Sequence, residues 1–248
     1  MTDLKNKVAL ITGSGRGIGK AIAERYGALG ASVLVNYSSS ADAAQETVDV
    51  IERSGGKAIA VQADVSKVAD LESLFQTSLE RFGHLDIVVV NAGLEVSGQP
   101  VLDFTEEDYD RLFNTNTKGA FFTIQKAAKY VADHGRIIFV GSSTTAFPMP
   151  GHGLYGGSKM APRFLIEVLA KEIGHRGVTV NSILPTATEG AGRHAEPKPE
   201  IAQFIKNFMP MNRIGTVEDT ANAAEFLASD LASFVSGQHL LLSGGGPA

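Results

Sequence analysis

The sequence predicts one α/β domain, a doubly wound parallel sheet of about seven strands with helices on both faces. Three observations predict it. Short apolar runs alternate with helically periodic segments throughout the 248 residues. Those runs are continuously hydrophobic rather than alternating, as in strands covered on both faces. A glycine-rich turn joins the first run to the first helical segment. No linker, repeat or shift of composition divides the chain, so residues 1–248 are expected to form a single dinucleotide-binding and catalytic domain, with a substrate loop at about 186–210.

Taken in order, "KVALIT" (7–12) is a buried strand running into glycines, and 18–29 is a helix ending at Gly30. "SVLVNY" (32–37) is the second strand, and 41–53 is a helix stopped by "SGG". "KAIAVQAD" (57–64) is the third strand, after which Leu71, Leu74, Phe75, Leu79 and Phe82 mark one helix face. "LDIVVVNAG" (85–93) is the fourth, and one long helical stretch at about 105–132 leads to the fifth, "GRIIFVGSS" (135–143). Residues 155–173 form a helix in which Pro162 is expected to remove a hydrogen bond and introduce a kink. "VTVNSILP" (178–185) is the sixth strand, and a helix at about 217–228 precedes a last strand near "QHLLLSGG" (238–245). Acidic clusters at 106–110 and 218–219 fit helix starts and solvated faces. The stretch 186–210, with Gly190, Gly192, Pro197, Pro199 and Pro210, reads as an irregular lid or binding segment.

"TGSGRGIG" (12–19) carries the first chemical signal. Glycines between a strand and a helix allow a tight turn, close backbone approach to a diphosphate and close helix–sheet packing, and the helix N-terminus offers unpaired N–H groups. The fold is therefore expected to be Rossmann-type. The second strand ends in "NYSSS" (36–40), with no acid until Asp42. A carboxylate there would repel a ribose 2′-phosphate, whereas Asn36, Tyr37, Ser38 and Ser39 can donate to one and Arg16 can grip it. These features favour NADP(H) over NAD(H). Asp64 is placed to accept from the adenine amino group or to cap its strand. Asn91 ends the fourth strand at the carboxyl edge, where ligands bind in such sheets. The expected cofactor-binding set is Gly13, Ser14, Arg16, Gly17, Ile18, Gly19, Asn36, Tyr37, Ser38, Asp64, Asn91, Ala92 and Gly93, to which the resemblance described below adds Val65, Tyr155, Lys159, Pro185 and Thr188.

Tyr155 and Lys159 share a helix face one turn apart. A nearby ammonium favours phenolate and lowers a tyrosine pKa, which ordinarily lies near ~10. Such a phenol can give a proton to a carbonyl oxygen or take one back. Ser142 ends the fifth strand, on the same sheet edge, and can hold the substrate oxygen.

These motifs resemble the short-chain dehydrogenases/reductases of the classical type, across essentially the whole chain. The likeness rests on "TGSGRGIG", "NAG" at 91–93, Asn116 in "NTNTKG", Ser142 thirteen residues before Tyr155, and "YGGSK". It implies that Tyr155 is the proton donor and acceptor, that Lys159 lowers its pKa and binds the nicotinamide ribose, and that Ser142 positions the carbonyl. It implies that Asn116 holds a water linking Lys159 to solvent, and that Arg16 before Gly17 is an NADP(H) signature. Ser143 receives no catalytic role. Enoyl reductases of the superfamily space the tyrosine and lysine more widely than here. Relatives are usually homotetramers pairing the helices that carry Asn116 and Tyr155; the face of Phe121, Phe122 and Ile124 suits that pairing or an intrachain core. Two departures stand out. Thr186 replaces the family's glycine after the proline, with Thr188 a candidate contact for the carboxamide, and Pro162 interrupts the catalytic helix.

Composition excludes other classes. There are no cysteines, so disulfides and thiolate catalysis are ruled out. Net charge is −5 without a basic run, which disfavours nucleic acid. No apolar run approaches the ~20 residues of a membrane helix, and a cytoplasmic location is the default expectation. The six histidines show no metal-ligand spacing: His84, His134 and His175 read as helix-end residues, while His152 and His194 flank the expected substrate pocket. Met149, Phe147 and Leu154 suit a pocket wall or ordinary core. The expected activity is NADPH-dependent reduction of a ketone or aldehyde, either a 3-oxoacyl thioester or a small or aromatic ketone. An NAD-dependent alcohol or sugar dehydrogenase is the second reading, and a non-catalytic dinucleotide sensor, which has no need of proton-transfer groups, the third.

Overall fold

The computed structural model describes residues 2–192, 195–196 and 199–246. Seven parallel strands form the sheet: β1 (Val8–Ile11), β2 (Ser32–Tyr37), β3 (Lys57–Gln62), β4 (Ile87–Val90), β5 (Arg136–Val140), β6 (Thr179–Pro185) and β9 (His239–Leu242). Their order is β3-β2-β1-β4-β5-β6-β9. The order turns back between β1 and β4, and the crevice outside the carboxyl ends at such a switch point is where ligands bind.

Successive strand residues point to opposite faces, and both faces are apolar. Ala9, Ile11, Val33, Val35, Val89 and Ile138 pack on one side, against helices α1 (Gly17–Ala28), α2 (Ala41–Arg53) and α8 (Val217–Ala228). Leu10, Leu34, Val88, Val90, Ile137 and Phe139 pack on the other, with α3 (Val68–Phe82), α5 (Ala120–Tyr130) and α6 (Gly153–Ile173). This explains why the strands read as unbroken hydrophobic runs.

Both acidic clusters do start helices. Thr105 and Asp108 form a capping box at α4 (Glu106–Phe113), and Thr216 and Asp219 form another at α8. The long helical stretch expected at about 105–132 is helical from Glu106 to Tyr130, with α4 and α5 joined by a π-helical turn at Asn114–Gly119. One expectation needs correction. The stretch 186–210 is not wholly irregular. It contains β7 (Thr188–Glu189), paired with β8 (Gly215–Thr216), and helix α7 (Pro199–Phe208). Pro199 occupies a first helical position, where its missing N–H costs nothing. Helix α6 continues past Pro162, which is buried within it. Among the described residues, no helix is long and apolar enough to cross a membrane.

Candidate active site

The glycine turn is built before any ligand arrives. Gly13 and Gly17 have φ of 61° and 57°, in the left-handed region that favours glycine. Asn91 rivets the end of β4 to the turn, donating from Nδ2 to the carbonyls of Thr12 (2.9 Å) and Gly13 (3.0 Å). The Thr12 hydroxyl accepts from the backbone N–H groups of Asn91 (2.9 Å) and Ala92 (3.0 Å). Helix α1 begins without a side-chain cap and without an acidic residue in its first turn. Its leading N–H groups and positive end therefore suit an anion, and the residues present fit a dinucleotide diphosphate.

Asn36 does not match its expected role as a free phosphate donor. Its side chain is buried: Nδ2 donates to the carbonyls of Tyr37 (3.3 Å), Val61 (3.3 Å) and Ala63 (3.1 Å), and Oδ1 accepts from Gly13 N–H (3.1 Å). A buried amide must be satisfied internally, so this one braces the turn. Ser14 is likewise buried, and its hydroxyl donates to Ile11 carbonyl at 2.8 Å. Arg16, Ser38 and Ser39 remain exposed at the mouth, and Tyr37 is half-buried. Beside the last two strand-end serines lies a polar hollow of about 610 Å³, lined by Ser38, Ser39, Gln62, Asp64, Lys67 and Asp70 among others. Lys67, whose Nζ lies 3.9 Å from the Asp64 carboxylate, is a cation there that the sequence reading missed, since nothing in spacing links it to the end of β2. Asp64 accepts from both the hydroxyl and the N–H of Ser66, and these bonds, the hydroxyl's first, hold its carboxyl below the usual range.

The reacting residues converge at the carboxyl ends of β4 and β5. Ser142 is buried; its hydroxyl accepts from Thr144 N–H (3.2 Å) and Thr144 hydroxyl (2.9 Å), and it is hydrogen-bonded to Tyr155. Tyr155 lies in the first turn of α6, with Lys159 one turn further and 4% exposed. Lys159 Nζ donates to Val140 carbonyl at 3.2 Å. A Cβ placed on Gly93 would lie 2.8 Å from that Nζ and 3.2 Å from Asn116 Oδ1. Gly93 is thus the opening through which the amine and the amide approach one another, close enough for one water to bridge them.

Burial, not the lysine, dominates the tyrosine here. It pushes the Tyr155 phenol well up, the Glu95 carboxylate adds to that, and the Ser142 hydrogen bond opposes it. Burial also pushes Lys159 down to about 8, with Glu95 opposing. The resolved causes of the phenol's shift are burial, Glu95 and Ser142, while Lys159 at about 8 keeps its ammonium at neutral pH. A neutral phenol is the proton-donating form.

Glu95 is a residue the sequence reading passed over, because it follows the motif at 91–93 without belonging to it. It sits at the lip of the cleft, accepting from Ser97 hydroxyl at 2.9 Å, and a Cβ on Gly192 would meet its Oε2 at 2.9 Å. Its removal has a signed effect on pH dependence. The carboxylate raises Lys159, so Glu95→Gln should lower that amine further below about 8. The alkaline limb of the rate profile, where the ammonium is lost, should therefore move to lower pH; a pH profile showing an unmoved or upward limb contradicts the coupling.

Asn116 sits in the wide π-helical turn, a feature often found at functional sites. Its Oδ1 accepts from Leu94 N–H (2.8 Å), while Nδ2 donates to Leu94 carbonyl (2.8 Å) and Ser158 hydroxyl (3.0 Å). The amide is a bracket between loop and helix; a water would use its remaining acceptor capacity or the main chain.

Pro185 is buried at the end of β6, and the Thr186 N–H and hydroxyl both donate to Leu242 carbonyl, at 3.3 and 3.0 Å. Thr188 is buried with its hydroxyl donating to Thr186 carbonyl at 2.9 Å. Gly190 and Ala191 lie against the glycine turn, since a Cβ on Gly17 would come within 3.5 to 3.7 Å of them. Val65 is buried, Ala92 and Ile18 are partly so, and Gly93 is open. The His152 ring bonds the nearby Pro150 carbonyl at 3.2 Å, and His194 lies outside the described residues. Among the described residues, no group of histidines and carboxylates could hold a metal.

A switch-point cleft lined by a glycine turn, a serine–tyrosine pair and a buried lysine defines a nicotinamide-dependent oxidoreductase. The family model described as enoyl-(acyl carrier protein) reductase matches residues 13–246. A hydroxynaphthalene reductase-like protein of Metarhizium acridum is 43% identical over 255 residues, covering 98% of this chain and 95% of that protein. Among solved structures, a Burkholderia cenocepacia short-chain dehydrogenase in complex with NADP is 36% identical, covers 98% of each chain and superposes with a TM-score of 0.91. The angucycline C-6 ketoreductase LanV with bound NADP is 36% identical, with a TM-score of 0.92 over 98% of this chain and 96% of that one. The chain belongs to the short-chain dehydrogenase/reductase family.

Proposed function

We propose that this protein is an NADPH-dependent carbonyl reductase acting on an aromatic or fused-ring ketone. The observation that carries the reading is the Ser142–Tyr155 hydroxyl pair with buried Lys159 one turn away, in which the phenol is neutral. The cofactor, when bound, supplies hydride to the carbonyl carbon. Ser142 donates a hydrogen bond to the carbonyl oxygen and orients it. Tyr155 passes its phenolic proton to that oxygen as the carbinol forms. Lys159, with the water that Asn116 and Gly93 leave room for, returns a proton to the phenol.

Two considerations support the substrate class. Of the relatives named above, one is described as hydroxynaphthalene reductase-like and another as an angucycline C-6 ketoreductase. A 3-oxoacyl thioester on an acidic carrier would meet a chain of net charge −5 with Glu95 at the cleft lip. The four-residue tyrosine–lysine spacing speaks against enoyl reduction. NADPH oxidation should be followed against fused-ring ketones, 3-oxoacyl thioesters, small ketones and sugars. Turnover confined to the thioesters or sugars overturns the substrate class, and no turnover with any carbonyl overturns the activity.

The cofactor preference rests on exposed Arg16, Ser38, Ser39 and Lys67 and on the absence of an acid at the end of β2. Arg16→Ala should raise the KM for NADPH about tenfold or more while changing that for NADH less than about twofold, the signature of a lost charge-assisted phosphate contact. Equal changes contradict the assignment.

For assembly, the reading is a homotetramer. Tyr109, Phe121, Met160 and Phe164 are exposed on α4 to α6, and Phe226, Leu231, Phe234 and Leu240 near the C-terminal strand. Ile124 does not belong to that surface; it is fully buried in the core. The proposed site of action is the cytoplasm.

A further inference from the structure

Ser158 lies between the two reacting residues of α6 and makes an unusual set of bonds. Its hydroxyl donates to Tyr155 carbonyl at 2.7 Å and accepts from Asn116 Nδ2 at 3.0 Å. Its carbonyl accepts from the Thr117 hydroxyl at 2.8 Å. In an unbroken α-helix that carbonyl would take the N–H four residues on. Here the residue four on is Pro162, which has no N–H and whose ring crowds that carbonyl. Ser158 is fully buried, so an orphaned carbonyl there would be costly.

We propose that Thr117 and Pro162 act together as a positioning clamp. The proline strips the Ser158 carbonyl of its helical partner, and the threonine hydroxyl, projecting from the π-helical turn, takes it. The turn carrying Asn116 is thereby fastened to the turn carrying Tyr155 and Lys159 at two adjacent points, one through Asn116 itself and one through Thr117. Asn116 in turn grips both backbone groups of Leu94. The clamp thus ties three segments of the cleft into one hydrogen-bonded unit. Neither residue touches substrate; both act through Ser158. The clamp explains how a proline sits inside the catalytic helix without orphaning the Ser158 carbonyl. The catalytic part of this inference rests on the ketone-reductase reading; the structural part does not.

Four variants test it: Thr117→Val, Thr117→Ser, Pro162→Ala and Thr117→Val/Pro162→Ala. Two readouts are taken on the full-length protein with bound NADPH, namely steady-state kinetics on a ketone the wild type reduces and amide hydrogen exchange in residues 153–160. Thr117→Val should lower kcat about tenfold, equivalent to ~1.4 kcal/mol, with the KM for NADPH changed less than about twofold. Exchange in 153–160 should accelerate. Thr117→Ser, which keeps the hydroxyl, should stay within about twofold of wild type. The double variant returns an N–H to the Ser158 carbonyl, and should regain most of the lost kcat and protection, a non-additivity that a merely packing role does not give. Wild-type kcat and exchange in Thr117→Val, or a double variant no better than Thr117→Val, overturns the clamp. If Thr117→Val alone does not fold, a folded and protected double variant supports the clamp and an unfolded one overturns it. If the wild type reduces no ketone, the proposed activity fails while the exchange data still decide the clamp.

Discussion

Tyr155→Phe should lower kcat for ketone reduction by about 10³-fold, within the range that a positioned general acid contributes. The phenylalanine ring keeps the packing of the first turn of α6 and removes only the hydroxyl that is bonded to Ser142. NADPH affinity should change by less than about threefold, because the glycine turn, Asn91 and Lys159 are untouched. The two effects separate cleanly in practice: kcat from steady-state assays and NADPH affinity from fluorescence titration. A residual rate within about tenfold of wild type means another group supplies the proton. His152, flanking the same segment, is then the next residue to test.

Gly19→Ala should be nearly as damaging, by a different route. A methyl group at this position would stand 2.4 Å from the Gly13 carbonyl oxygen, 2.5 Å from Asn91 Nδ2 and 2.9 Å from Ser14 Cα. Two of these atoms are backbone, and the third is pinned by two hydrogen bonds to Thr12 and Gly13. Nothing can yield without opening the turn or lifting α1 from the sheet. Overpacking of this kind costs about 1–3 kcal/mol. The deformation falls on the N–H groups of the glycine turn, which are proposed to hold the diphosphate, so NADPH affinity should fall at least about tenfold. Gly174→Ala is the control, since a methyl there meets nothing within 4 Å. Thermal denaturation and NADPH titration read both effects. A stable Gly19→Ala protein with wild-type NADPH affinity contradicts the described packing.

The fold was legible because its determinants are local and repeated. Each strand declares itself by an apolar run, and the two core layers sort those residues by alternation alone. Strand ends were read too long where the site begins. Residues 91–93 and Ser142 are apolar-adjacent in sequence but leave the sheet to face the cleft, for β4 stops at Val90 and β5 at Val140. The π-helical turn escaped notice since its residues have helical periodicity on either side, and only hydrogen bonding distinguishes it. Helix α7 was hidden among prolines and glycines. Asn36 shows a different limit. A polar residue at a strand end looks like a ligand until its partners are known, and here they are Val61, Ala63 and their neighbours across the sheet. Lys67 and Glu95 were illegible because proximity in space, not spacing in sequence, brings them to the cleft.

The most direct test of the account is the structure of a ternary complex with NADP(H) and a reducible ketone. The account predicts the carbonyl oxygen within hydrogen-bond reach, about 2.6–3.2 Å, of both the Ser142 and Tyr155 hydroxyls, with Lys159 still buried beneath them. A ketone bound with its oxygen turned from Tyr155, or a Tyr155 hydroxyl pointing out of the cleft, contradicts it.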